Sequence, residues 1–134
     1  KILPALEQGR WVLCDRFKDS TRVYQGALGG IDSKFIEATF RQGCLELEPD
    51  LTLILDCEIE QSLARIQQRE DATKAAASRF DKASRNAHQR IREAFCKLET
   101  AFRERVVLLD ASPAPLEVVE QAVGIIEERF SLGH

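Results

Sequence analysis

Near the start of the chain, twelve residues, Asp15-Arg16-Phe17-Lys18-Asp19-Ser20-Thr21-Arg22-Val23-Tyr24-Gln25-Gly26, bring together acids, bases, two hydroxyls, an aromatic ring and an amide. An arginine beside a strand end can grip a phosphate through two parallel N–H···O bonds, because its planar fork matches the spacing of the oxygens. A tyrosine offers a stacking face, and a glutamine can pair with the edge of a base. Together these side chains point to a site for a nucleotide monophosphate. Asp56 and Asp110 also close apolar runs, as Asp15 does. An aspartate after a strand is ordinarily a turn or helix-cap residue, and Asp56 and Asp110 read that way.

Such a site needs a frame. Trp11 to Cys14, Leu51 to Leu55 and Val106 to Leu109 are short runs rich in β-branched and aliphatic residues, without polar alternation. That is the character of parallel strands covered on both faces. The segments between them are long enough for helices, so the order β, α, β, α, α, β, α predicts an α/β fold with a parallel sheet. In open parallel sheets ligands bind at the carboxyl ends of strands, where all three aspartates would lie. Ala87, Ile91, Phe95, Leu98 and Phe102 make one apolar stripe on a helix from about Ser84 to Glu104. Leu116, Val119, Val123, Ile126 and Phe130 make another, behind a Ser112, Pro113, Pro115 start that suits a helix N-terminus. Ile59, Leu63 and Ile66 mark a third. Ile36, Phe40 and Cys44 with Leu47 fit a fourth, ended by Pro49. The stretch from Arg69 to Lys82 has little to anchor it, since Thr73 to Ser78 holds three alanines and no large apolar residue.

The whole of residues 1–134 is the size of one domain. With 44% hydrophobic and 31% charged residues, the composition is that of a soluble globular protein, and no apolar stretch approaches the length that spans a bilayer. The 19 basic and 22 acidic residues are interleaved, which argues against a nucleic-acid partner and leaves a net charge of −3. Cys14, Cys44, Cys57 and Cys96 lack C-x-x-C or zinc-ligand spacing. They are expected to be buried thiols of a protein in the reducing cytoplasm. No signal peptide is read ahead of the first run. Because the chain contains no methionine, it is expected to be part of a longer reading frame.

Four motifs in order carry a family resemblance. Asp15-Arg16-Phe17, Ser20-Thr21 and Tyr24-Gln25-Gly26 resemble the D-R-[YFH], S-T and Y-Q-G pattern of thymidylate kinases at the same spacing. Pro49 to Asp56 is similar to that family's P-D-L-T-L-x-L-D strand. His88 to Phe95 is similar to its H-x-[KR]-V-R-x-x-[YF] helix, and Asp110-Ala111-Ser112 to its D-A-[ST] turn.

The resemblance implies transfer of phosphate from ATP to dTMP, giving dTDP in the synthesis of dTTP. It implies that Arg16 contacts the dTMP phosphate, that Ser20, Thr21, Tyr24 and Gln25 hold the thymidine, and that Asp15 supports the geometry of phosphate and magnesium. The arginine-bearing lid, at about 69–82, would bring Arg65, Arg69 and Arg79 toward ATP. Ala111 and Ser112 would border the adenine. A homodimer is implied as well. His88 reads as structural.

Departures from the pattern are specific. Ala27-Leu28-Gly29-Gly30 puts glycine where the family often has arginine, Thr73 to Ala77 lengthens the lid, and Ser78 stands where the lid usually has an acid or a polar residue before Arg-Phe. No G-x-x-x-x-G-K-[ST] loop, whose backbone N–H groups and lysine cradle the phosphates of ATP, occurs in the sequence. The expected architecture is therefore a P-loop-kinase-type three-layer sandwich lacking its first strand, P-loop and second strand, and not expected to fold stably by itself. Two other readings remain: a related nucleoside or nucleotide kinase of different base specificity, and a non-catalytic nucleotide-binding fragment.

Overall fold

The computed structural model describes the backbone of residues 1–43, 47–73 and 82–132, with side chains given for all of these except 69–73 and 82–84. Two compact units divide the chain, Lys1–Glu46 and Leu47–His134.

In the first unit, helix α1 (Ile2–Glu7) ends where Gly9, in the left-handed region at φ 69°, donates to the Leu6 carbonyl. Helix α2 (Lys18–Thr21) runs directly into a π-helix, Arg22–Leu28. Helix α3 (Ser33–Gly43) follows, and Asp32 caps it: its Oδ1 accepts from the backbone N–H groups of Lys34 at 2.7 Å and Phe35 at 3.3 Å. Val23, Ile36 and Phe40 are buried and form the apolar centre of this unit.

The expected strand at Trp11 to Cys14 is absent. These residues belong to no sheet among the described residues, and Leu13 is 99% exposed. The physical reason is that a strand exists only through its ladder, and an apolar run without a paired neighbour has nowhere to place its backbone N–H and C=O groups. The segment from Lys18 to Leu28 departs in the other direction, since no apolar period advertised a helix there.

The second unit follows the expected order. Strand β1 (Thr52–Asp56) is joined through α4 (Ile59–Thr73) and α5 (Lys82–Ala101) to strand β2 (Val106–Asp110), and α6 (Pro115–Phe130) completes the unit. The strands are parallel and in register from Thr52↔Val106 to Asp56↔Asp110, which requires the helical crossover between them. Ile54, Ile59, Leu98, Val106, Leu109 and Ala111 are buried around this sheet. Two of the three expected strands thus form the parallel sheet of an α/β fold.

On α5 the expected stripe is seated: Leu98 is buried and Ile91 and Phe95 are half-buried, as is Phe102 just past the helix end, with only Ala87 exposed. On α6 the expected stripe is corrected. Leu116, Val119 and Val123 are exposed, while Val118, Ala122 and Ile125 are half-buried beside Ile126 and Phe130. The helix is apolar on two adjacent flanks, so periodicity by itself leaves two candidate inner faces.

The expectation of buried thiols also needs correction. Cys14 is exposed because its segment joins no sheet, and Cys57 and Cys96 are half-buried. Burial pushes the Cys96 thiol upward in pKa, with the Asp56 carboxylate adding to the shift. Cys44 lies outside the described residues. Among the described residues, no helix is long and apolar enough to cross a membrane.

Candidate functional site

Chemistry-bearing residues collect in each unit separately. In the first, the segment from Asp15 to Gly26 turns sharply at Arg16, whose φ of 64° lies in the left-handed region that favours glycine. Such a conformation costs a non-glycine residue about 1–2 kcal/mol and is commonest where function demands it. Here the thiol of Cys14 donates to the Arg16 carbonyl at 3.4 Å, and the Arg16 guanidinium stands 5.6 Å from the centre of the Tyr24 ring. Asp15, Arg16 and Gln25 are exposed, and Ser20, Thr21 and Tyr24 are half-buried. The structure thus brings Arg16 and Tyr24 together, and places the two hydroxyls on α2 leading into the turn that carries Tyr24 and Gln25.

Beneath this surface lies a charged layer that the sequence did not advertise. Lys18 and Asp19 are buried. Arg22 donates through Nε to Glu37 Oε1 at 2.7 Å and through Nη2 to Oε2 at 3.0 Å, while its Nη1 meets Asp19 Oδ1 at 2.9 Å. The Phe40 ring receives both the Lys18 ammonium at 5.3 Å and the Arg22 guanidinium at 5.2 Å. The hydrogen bond from Arg22 holds the Glu37 carboxyl below its ordinary value, against a smaller opposing effect of burial. Arg22 and Glu37 stand 15 positions apart on different helices, so no short spacing could have paired them. A cleft of about 300 Å³ opens beside this pair, lined also by Gly26, Ala27, Ile31, Ser33 and Ile36. None of the expected acceptor-site residues lines it.

In the second unit, Asp56 and Asp110 lie side by side at the carboxyl ends of β1 and β2. Asp110 is a turn residue as expected: its Oδ1 accepts from the Ser112 backbone N–H at 2.9 Å, and hydrogen bonds from the Ser112 side chain and backbone lower its pKa. Asp56 is not. Its two oxygens take Nε and Nη2 of Arg92 at 2.7 and 2.9 Å, and the same Nη2 reaches Glu58 at 2.8 Å. Hydrogen bonds to Asp56 and Glu58 raise the pKa of Arg92 above its ordinary value, and the bond from Arg92 in turn lowers that of the Glu58 carboxyl. Arg92 was legible only as a position in the His88 to Phe95 run, where it stands four residues after the half-buried His88.

Arg65, on α4, folds over the turn that follows β2. Its Nη1 donates to the Ala111 carbonyl at 2.7 Å, and its Nη2 to the carbonyls of Ser112 at 3.0 Å and Pro113 at 3.4 Å. Gln61, one helical turn earlier, adds a bond to the Ser112 carbonyl at 2.9 Å. Ala111 and Ser112, expected at the adenine, and Arg65, expected among the arginines that approach ATP, are therefore in direct contact. The side chain of Arg69 and all of Arg79 lie outside the described residues, as does most of the expected lid.

The thymidylate kinase family model matches residues 1–123, a span that contains both clusters. The chain belongs to the thymidylate kinase family. Among similar proteins, a thymidylate kinase of Afipia carboxidovorans is 42% identical over 130 residues, covering 97% of this chain and 56% of the relative. One from a Bradyrhizobium species is 46% identical over 129 residues, with 96% and 56% covered. The crystal structure of a thymidylate kinase from Ehrlichia chaffeensis superposes with a TM-score of 0.65 at 23% identity, over 93% of this chain and 56% of that one. This likeness establishes the fold, an incomplete P-loop-kinase α/β architecture. The chain spans about half the length of the curated relatives it matches.

Proposed function

We propose that this chain supplies the acceptor-binding side and the lid of an enzyme that transfers the γ-phosphoryl group of ATP to dTMP, giving dTDP for dTTP synthesis. The observation that carries the proposal is the pairing of an exposed arginine with a half-buried tyrosine, Arg16 over Tyr24, inside the D-R-F and Y-Q-G runs of a thymidylate kinase family member. A cation held over the face of a ring is placed to grip a phosphate while the ring borders the sugar and base.

In this reading Arg16 binds the dTMP phosphate, and Ser20, Thr21, Tyr24 and Gln25 hold the thymidine. An oxygen of that phosphate attacks the γ-phosphorus of ATP, the bond to the bridging oxygen breaks, and ADP leaves. Phosphoryl transfer depends mostly on positioning and on charge placed around the moving group. Arg69 and Arg79 of the lid provide such charge, and the Ala111–Ser112 turn, fastened by Arg65, borders the adenine. The phosphate cradle comes from residues outside these 134, since the sequence holds no G-x-x-x-x-G-K-[ST] loop.

Magnesium belongs to this chemistry as the partner of ATP, where it neutralises developing charge on the phosphates. Among the described residues no group of three or more His, Cys, Asp or Glu side chains forms a metal cage. A single exposed carboxylate such as Asp15 fits the ion all the same, because magnesium takes one or two carboxylates with phosphate oxygens and water. The proposal includes a homodimer working in the cytoplasm, with neither membrane nor nucleic acid as partner.

The test is to incubate the full-length protein with ATP, magnesium and dTMP and to identify the product. Formation of dTDP, with a large loss of kcat/KM for dTMP in Arg16→Ala, is the expected result. Preference for another nucleotide or nucleoside would assign a related kinase, and dTMP binding without transfer would assign a non-catalytic binder.

A further inference from the structure

We infer that Glu37 is a positioning residue of the acceptor pocket: by holding Arg22 it ties the π-helix that carries Tyr24 and Gln25 to helix α3, and so sets where both side chains stand. This inference rests on the proposed function, in which Ser20, Thr21, Tyr24 and Gln25 hold the thymidine.

Arg22 lies between the two halves of that group, where α2 (Lys18–Thr21) passes into the π-helix (Arg22–Leu28). A π-helix is rare and occurs mostly at functional sites, and helices of so few residues depend on tertiary contacts to persist. Here the support comes from α3 (Ser33–Gly43). One contact is apolar: Ile36 packs so near Gly26 that its Cδ1 would stand 3.2 Å from a Cβ built there. Another is the ion pair, in which Nε and Nη2 of Arg22 donate to the two Glu37 oxygens at 2.7 and 3.0 Å. A fork that closes on both oxygens fixes direction as well as distance. Nη1 of the same guanidinium donates to Asp19 Oδ1 at 2.9 Å, so one side chain joins α2, the π-helix and α3.

The carboxylates at the two ends of this clamp differ in what they can reveal. The Arg22 and Asp19 side chains are 11% and 7% exposed, so losing either disturbs the fold itself. Glu37 is 40% exposed and lines the cleft, so it can be changed without leaving a carboxylate stranded in the interior. Asp32 supplies the contrast. Its carboxylate caps α3 through the N–H groups of Lys34 and Phe35, within the first turn of that helix. Losing the cap loosens the helix end, whereas losing Glu37 frees the π-helix from α3. The two acids thus separate a cost in stability from a cost in aim.

The experiment compares Glu37→Ala, Glu37→Gln, Arg22→Lys and Asp32→Ala in the full-length protein, reading the Kd for dTMP, the KM values for dTMP and ATP, and Tm. A displacement of about 1 Å at a positioned group costs up to about a hundredfold, so partial release in Glu37→Ala is expected to weaken dTMP binding by roughly five- to tenfold. Its KM for ATP should stay within about twofold of wild type, because the loss falls on one substrate. Glu37→Gln keeps one acceptor of the same shape and should lose about threefold. Arg22→Lys keeps a positive charge beside Asp19 but has no fork, so it should lose dTMP affinity as Glu37→Ala does. Combining those two should cost no more than either alone, since Glu37 acts through Arg22. Asp32→Ala should lower Tm and leave the dTMP constant unchanged. Wild-type dTMP affinity in Glu37→Ala would overturn the inference, as would equal losses for dTMP and ATP, a loss in Asp32→Ala as large as in Glu37→Ala, or fully additive losses in the double variant. If Glu37→Ala does not fold, the same readings on Glu37→Gln decide, and wild-type dTMP affinity there overturns it. If the wild-type protein neither binds nor phosphorylates dTMP, it is the proposed function that fails.

Discussion

Arg22 and Arg92 make the same set of bonds in the two units, and the environments make them unequal. Each guanidinium takes both oxygens of one carboxylate and one oxygen of a second: Glu37 and Asp19 for Arg22, Asp56 and Glu58 for Arg92. The Arg22 side chain is 11% exposed and its Asp19 partner 7%, whereas Arg92 is 25% exposed and Glu58 70%. Water and salt screen Glu58 and also reach Glu37, which is 40% exposed, but scarcely reach the pair of Arg22 and Asp19. Under Arg22 there is also the Phe40 ring, which carries a second cation, Lys18. The comparison teaches that bond geometry alone does not rank ion pairs. What remains buried after one partner is removed does.

The largest expected effect is therefore Arg22→Ala, which leaves the buried Asp19 carboxylate without this partner. Loss of one side of a buried pair costs about 3 kcal/mol, measurable as a fall in the midpoint of chemical denaturation at constant slope. Arg92→Ala should cost about 1 kcal/mol, since its hydrogen bonds are charge-assisted but partly solvated. An equal cost for the two would break the comparison. A double-mutant cycle of Arg92→Ala with Asp56→Asn should show coupling, because the residues touch.

Acid sharpens the contrast. The folded-state pKa of Glu37 lies below its ordinary value of 4.5, so its contribution is present above that pH and is lost as pH falls through the lowered folded value. Stability measured from pH 6 down to pH 3 should fall less steeply in Glu37→Gln than in the wild type; an unchanged acid limb would contradict the Arg22 pairing. The smallest effect belongs to the exposed pair of Arg85 and Glu60, 56% and 63% exposed. Arg85→Ala should move stability by no more than about 0.5 kcal/mol, within the ordinary range of surface ion pairs.

How far the sequence could be read depended on the range of the interactions. Asp15, Arg16, Tyr24 and Gln25 could be singled out because a local segment carries them, and the structure adds that Arg16 stands over the Tyr24 ring. Asp110 was legible as a turn because the partner of its carboxylate is only two residues away. Asp56 was misread by the same rule, since its partner Arg92 comes from 36 positions further on. Trp11 to Cys14 and Thr52 to Asp56 look alike as apolar runs, yet only the second has a ladder partner.

By itself, then, the sequence determined the parallel pair β1 and β2, the helical crossover, the seat of α5 and the density of polar and charged residues from Asp15 to Gly26. These follow from apolar periodicity and from chemistry confined to a few adjacent residues. Only the tertiary structure decided that Arg22 closes on Glu37, that Arg65 holds the Ala111 to Pro113 carbonyls, and which flank of α6 turns inward. Each of those outcomes is a choice among several charges or faces of similar local merit. Such choices are settled by which groups the packed backbone brings within hydrogen-bonding distance, and by which of them it shields from water.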